Sequence, residues 1–162
     1  MIEIRAATGA DRQAAWQVWH AANVARRGGV PASEDIQELV RERLAEAGAW
    51  QLLAEDGSGR LVGMTSSTDG REDDGRGSVI PGLCHINMVF VMPDAWGEGI
   101  GSQLVDATLA EARRRGFSRA QLWTHEDNER AQRLYRGRGF RHSERLAGDD
   151  EGKLIGLWVR QL

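Results

Sequence analysis

Seven residues, Trp96-Gly97-Glu98-Gly99-Ile100-Gly101-Ser102, lie between an apolar run that stops at Pro93 and a stretch with helical apolar spacing. Glycine at 97, 99 and 101 admits backbone conformations that a side chain forbids, and the first N–H groups of a helix have no partner within it. Backed by the positive end of the helix dipole, such amides suit a pyrophosphate. Two other phosphate loops are excluded by spacing. A nucleotide P-loop needs Lys and then Ser or Thr after its last glycine, and a dinucleotide fingerprint needs its third glycine three places after the second. Here only Ile100 separates Gly99 from Gly101, and Ser102 follows directly.

A second constellation lies downstream, where Asn128, Ala131, Leu134 and Tyr135 are followed by Gly139-Phe140. In this order the two patterns resemble the GNAT superfamily of N-acetyltransferases. Its coenzyme A loop reads Gln or Arg, two free positions, Gly, one free position, then Gly or Ala, and its later motif reads Asn-x-x-Ala-x-x-Leu-Tyr. Trp96, Gly99 and Gly101 fill the loop positions. The chain departs from the pattern at Trp96, which replaces Gln or Arg, and at Glu98, where many relatives carry a basic residue.

The resemblance implies direct acetyl transfer from acetyl-CoA, as co-substrate, to a primary amine of a small molecule or peptide, with no covalent enzyme intermediate and no metal. The implied coenzyme contacts are the backbones of Val89, Phe90 and Val91 and the loop residues Trp96, Gly97, Gly99, Ile100, Gly101 and Ser102, with Asn128 and Tyr135 beside them. Arg130, Arg133 or Arg136 would reach the nucleotide phosphate. Tyr135, the only tyrosine, is the expected donor to the departing thiolate. A phenol near ~10 and a thiol near ~8.5 make that proton transfer nearly balanced.

The amine needs a base, since an alkylammonium near ~10.4 costs roughly 4–5 kcal/mol to deprotonate at pH 7. Side chains alternate along a strand, so His85, Asn87, Val89 and Val91 share one face and Cys84 points the other way. That separation argues against a Cys84–His85 nucleophilic pair and makes Cys84 a small core residue. His85 is the first-choice base, with His125 and Glu126 next. His20 and His142 carry no motif and read as surface positions. For the acceptor, the family's fold offers Trp16, Trp19, His20 and Asn23 on the first helix, Asn87 and His125 on strands, and the acidic run Glu72-Asp73-Asp74. Aromatics and carboxylates together would suit a cationic amine. A different reading is an acyl-CoA-binding sensor or regulatory domain that has lost catalysis.

The elements that must position these residues follow from periodicity. Strands are expected at Ile2–Ala6, Trp50–Ala54, Leu61–Ser66, Leu83–Met92, Ala120–Thr124, Phe140–Leu146 and Leu154–Arg160. Helices follow Thr8, Ser33 (ending at Gly48) and the glycine loop (burying Ile100, Leu104, Val105, Thr108 and Ala112), and a short one covers Asn128–Arg136. Asp69–Ser78 reads as a mobile loop. The fold class is thus mixed α/β, and the resemblance implies a largely antiparallel sheet of about seven strands, splayed between the fourth and fifth and flanked by four helices. At 162 residues, 1–162 reads as one domain. A net charge of −3 gives no reason to expect nucleic acid or an anionic membrane as partner. One cysteine forbids an internal disulfide, and no apolar stretch has membrane-spanning length, which points to the cytoplasm. A homodimer is compatible with the resemblance.

Overall fold

The computed structural model describes residues 1–162. Its elements are β1 (Glu3–Ala6), α1 (Arg12–Arg26), α2 (Glu34–Ala45), β2 (Trp50–Glu55), β3 (Leu61–Arg71), β4 (Val79–Val91), α3 (Ile100–Arg114), β5 (Arg119–His125), α4 (Glu129–Gly137), β6 (Arg141–Gly148) and β7 (Leu154–Gln161). The seven strands lie in the order β1-β2-β3-β4-β5-β7-β6. Pairs β1–β2, β2–β3, β5–β7 and β6–β7 are antiparallel, and β4–β5 is parallel. This parallel ladder is short: Leu83, Cys84 and His85 face Arg119, Ala120 and Gln121, and the register stops there. β4 itself runs on to Val91 and β5 to His125.

The chain forms two compact units, residues 1–68 with 88–108 and residues 69–87 with 109–162. In the first, α1 packs Ala15, Trp16, Val18 and Trp19 with Val40 and Leu44 of α2 and with Leu53, Met64 and Met88. A reciprocal cap precedes α1, where Thr8 N–H donates to Asp11 Oδ2 at 2.8 Å. The Arg5 guanidinium, bonded to Asp11 and Glu55, holds the Asp11 carboxyl well below the usual range. Ser33 Oγ accepts from Ile36 N–H and starts α2. Ile100 and Leu104 of α3 pack with Ala54, Val62 and Ala95. One turn on, the buried hydroxyls of Thr65 and Thr108 satisfy each other at 2.9 Å. In the second unit, Leu122 of β5 faces Trp158 of β7, both almost fully buried.

Two expectations are corrected. α2 ends at Ala45, not Gly48: Glu46 is already extended (ψ 139°), Ala47 is exposed, and Gly48 takes φ +84° in the turn beyond. The segment Asp69–Ser78 is not a loose loop. β3 runs on to Arg71, β4 starts at Val79, and Glu72 N–H donates to Ser78 O at 2.9 Å while Gly77 N–H donates to Glu72 O at 2.8 Å. Charge and glycine are also what a tight hairpin end requires, so polarity alone misreads such a segment.

Candidate active site

The glycine loop is built by strand termination. Met92 N–H still donates to Val62 O, Pro93 cannot extend the ladder, and a single tight turn over Pro93–Ala95 swings the chain toward α3. Gly97 and Gly99 sit at φ +84° and +78°. Gln103 N–H is the first to bond back, to Gly99 O at 3.2 Å, which leaves the amides of Ile100, Gly101 and Ser102 without a helical acceptor. A Cβ added at Gly97 or Gly99 would meet nothing within 4 Å, so the space beside both positions is open. The residues present therefore fit a pyrophosphate. Trp96 behaves differently from the Gln or Arg it replaces: its indole N–H donates to Val91 O at 2.8 Å. That bond takes one of the two acceptor positions of a strand carbonyl expected to serve the pantetheine.

On β4 the alternation holds. Cys84, Ile86 and Met88 are buried, while His85, Asn87 and Val89 are half-buried. His85 Nδ1 lies 3.3 Å from Gln121 Nε2, at the point where the β4–β5 ladder ends. The carboxamide decides what the imidazole can do. With Oε1 turned to accept from Nδ1–H, Nε2 presents a lone pair; with Nε2 donating to Nδ1, the other nitrogen holds the proton. Only the first arrangement makes His85 a base.

The far end of β5 carries two histidine–carboxylate pairs that spacing alone did not reveal. His125 Nε2 meets Asp149 Oδ2 at 2.7 Å, and Asp149 Oδ1 accepts from the amides of Glu151 and Lys153. Burial opposes ionisation of Asp149, but the His125 bond and the two amides outweigh it and lower its pKa. His142 is not a free surface residue. Its Nε2 lies 2.6 Å from Glu126 Oε1, its Nδ1 accepts from Glu144 N–H, and its ring stands edge-on to Trp158. Because Nδ1 accepts, Nε2 carries the proton and donates to Glu126. This pair needs Gly156: a Cβ there would overlap Glu126 Oε1 and approach His142 Nε2.

At α4, Asn128 is the N-cap, its Oδ1 accepting from Ala131 N–H at 3.1 Å, so this oxygen is committed to the helix. Tyr135 is buried, its ring edge-on to Phe140 at 5.9 Å. Arg136 lies over the Trp158 ring. The proposed acceptor residues separate into different environments. Trp16 and Trp19 are core residues, and Trp16 is already stacked by His20 at 4.8 Å and covered by Arg41 at 4.1 Å, so its ring is not open to a cation. His20 is thereby half-buried rather than superficial. Asp73 pairs with Arg76 and Asp74 with Arg145, so two of the three loop carboxylates are neutralised. Asn23 and Asn87 each keep a buried Oδ1 with no donor. No cluster of three or more His, Cys, Asp or Glu side chains is arranged to hold a metal ion, and no helix is long and apolar enough to cross a membrane.

Comparison with known proteins gives the same architecture. The ribosomal-protein-S18-alanine N-acetyltransferase of Escherichia coli superposes with a TM-score of 0.76 at 16% identity, covering 99% of this chain and 94% of that one. The PaiA N-acetyltransferase of Thermoplasma acidophilum, solved in complex with coenzyme A, gives 0.70 at 17% identity over 100% and 99% of the two chains. Among curated sequences, the mycothiol acetyltransferase of Actinosynnema mirum is 36% identical over 103 residues, 60% of this chain and 32% of that protein. An uncharacterized N-acetyltransferase of Archaeoglobus fulgidus is 39% identical over 59 residues, 36% of this chain and 40% of its own length. The chain thus spans well under half the length of the curated relatives it matches. Residues 12–140 match the model of the acetyltransferase (GNAT) family, and the chain belongs to that family.

Proposed function

We propose that this protein transfers an acetyl group directly from acetyl-CoA to a primary amine of a small molecule or peptide, with residues 1–162 acting as one catalytic domain and no covalent enzyme intermediate. The observation that carries the reading is the open turn of unanswered amides leading into Ser102. When bound, acetyl-CoA supplies an activated thioester. The amides from Gly97 to Ser102 hold its pyrophosphate, with exposed Glu98 weakening this by a screened, sub-kcal repulsion, about 0.3–1 kcal/mol. The edge of Val89 and Phe90 and the indole of Trp96 align the arm. Tyr135, fixed by Phe140, donates a proton to the departing sulfur. With the Gln121 carboxamide turned so that Oε1 accepts from Nδ1–H, His85 takes the proton of the incoming amine at Nε2.

One observation favours a second reading, a coenzyme-binding regulatory domain: Trp96 stands where the family pattern has Gln or Arg, and its indole N–H competes for a strand carbonyl that a productive arm would use. Release of coenzyme thiol in the presence of an amine panel separates the two. Tyr135→Phe keeps the ring and its packing, so its fold should persist while kcat falls roughly 100-fold or more, the usual contribution of a positioned acid. Full turnover in that variant rejects the role of Tyr135, and tight coenzyme binding without turnover on any amine favours the regulatory domain.

A further inference from the structure

In the edge strand β6, Glu144 takes φ +69°, a left-handed conformation that a residue with a side chain keeps only where its neighbours hold it. The strand is bulged at this point. His142 lies opposite Trp158 and Leu146 opposite Gly156, so residues 143–145 together face Leu157. Side chains pin the bulge: Ser143 Oγ donates to Leu157 O at 2.7 Å and accepts from Arg145 N–H at 3.2 Å, while Glu144 N–H donates to His142 Nδ1 at 2.7 Å. What the bulge presents is Arg145. Its guanidinium lies 5.6 Å from the centre of the Trp123 ring and pairs with Asp74, itself at φ +51° in the end of the β3–β4 hairpin. Both members of that ion pair are exposed, so it is screened and weak alone, and it depends on where the bulge puts Arg145.

The two partners of the His142 ring make opposite demands. Glu144 N–H needs a lone pair on Nδ1 and therefore a neutral ring. The Glu126 carboxylate, 2.6 Å from Nε2, is better bonded by a charged ring, since charge-assisted hydrogen bonds are roughly twice as strong as neutral ones. A protonated imidazole donates from both nitrogens, so Nδ1–H would then oppose Glu144 N–H. The other groups packed here weigh less directly. Arg136 of α4, over the same Trp158 that His142 meets edge-on, disfavours a second positive charge; Gly156 and Trp158 of β7 are uncharged; His125, beside Glu126, is taken by Asp149; on β6 itself Arg141, Glu144 and Arg145 have exposed side chains. We propose that His142 is a proton switch for the edge strand. Neutral, it holds the Glu144 bulge and, through it, the Arg145 tether to the β3–β4 hairpin; protonated, it keeps Glu126 and releases both. The switch needs nothing from the proposed acetyl transfer.

The test is amide hydrogen exchange on the intact protein, read by NMR as protection factors across the range in which imidazoles titrate, about pH 8 to 5. In the wild type, the Glu144 amide should lose roughly tenfold in protection on acidification, the worth of one hydrogen bond, and the hairpin-end amide of Glu72, bonded to Ser78 O, should loosen with it. Two variants split the ring's functions. His142→Asn keeps an acceptor in the place of Nδ1 and cannot be protonated, so Glu144 should stay protected at every pH; His142→Gln keeps a donor toward Glu126 without that acceptor, so Glu144 should be unprotected at every pH. Glu126→Gln removes the charge that draws the proton and should move the wild-type transition to lower pH. Arg145→Met should free the Glu72 amide at all pH values while the Glu144 transition remains. A wild-type Glu144 amide whose protection ignores pH, or the same transition in His142→Asn, would overturn the switch. A Glu72 amide indifferent to both pH and Arg145 would overturn the tether.

Discussion

Replacing Gly99 with alanine separates the cost of folding the loop from the cost of losing its ligand. Gly99 sits at φ +78°, and an added Cβ meets nothing within 4 Å, so the only penalty to the fold is the left-handed backbone. For a non-glycine residue that is roughly 1–2 kcal/mol. A chain of 162 residues loses roughly 2–4 °C for each kcal/mol, which gives a Tm decrease of roughly 2–8 °C. Gly59, in the turn between β2 and β3, is a matched control, with φ +83° and equally open surroundings. Gly59→Ala should therefore lose the same stability. The two variants should part in coenzyme affinity. Position 99 directly precedes the amides of Ile100, Gly101 and Ser102, so if these hold the pyrophosphate a methyl group there should cost one charge-assisted bond of about 1.5–3 kcal/mol, which raises Kd roughly 10- to 150-fold. Differential scanning fluorimetry and isothermal titration with coenzyme A measure both quantities. Equal Kd values for the two variants, with equal losses of Tm, would refute the assignment of the loop.

Further outcomes follow from individual side chains. Gln121→Glu places a carboxylate against His85 Nδ1, which locks the lone pair on Nε2 and favours the imidazolium; the ascending limb of the pH–rate profile should move up by roughly one unit, and an unmoved limb would argue that His85 is not the base. Gly156→Ala should separate Glu126 from His142 and, His142 being held by Glu144 N–H and Trp158, lower stability by about 1.5–3 kcal/mol, read as a shift in urea midpoint with m unchanged. Acid should destabilise the fold in a defined window. Glu111 is lowered to about 2, first by its bond to Arg114 and then by Arg115, and the carboxyls of Asp11 and Asp149 also lie below their ordinary values. Because the folded-state values are depressed, the stability these groups contribute is complete above the ordinary carboxylate range and is lost as pH falls toward 2. Circular dichroism melts between pH 6 and pH 2 should show Tm falling only below about 4.5.

What was legible in the sequence was local. The inner face of α3, residues Ile100, Leu104, Val105, Thr108 and Ala112, is buried throughout, because a helix face repeats every few residues and needs no distant partner to be recognised. The Thr8 and Ser33 helix starts, the glycine turn and the alternation around His85 belong to the same class. Misreadings arose where one composition serves two structures, as in the hairpin end at Glu72–Ser78, or where a residue without a motif is given its role by a distant one. His85 is oriented by Gln121, 36 positions away; His125 by Asp149, 24 away; His142 by Glu126, with room made by Gly156.

Those partners are set by strand register and by the turns that return β7 between β5 and β6, and register is a property of the assembled sheet. The amino-acid sequence by itself determined the family, the order of elements and the glycine turn before α3, since these depend on short-range spacing and backbone freedom. Only the tertiary structure decided which imidazoles meet carboxylates, which tryptophans are core, and which buried oxygens lack a donor, because packing and hydrogen bonding across a sheet join residues that chain distance keeps apart.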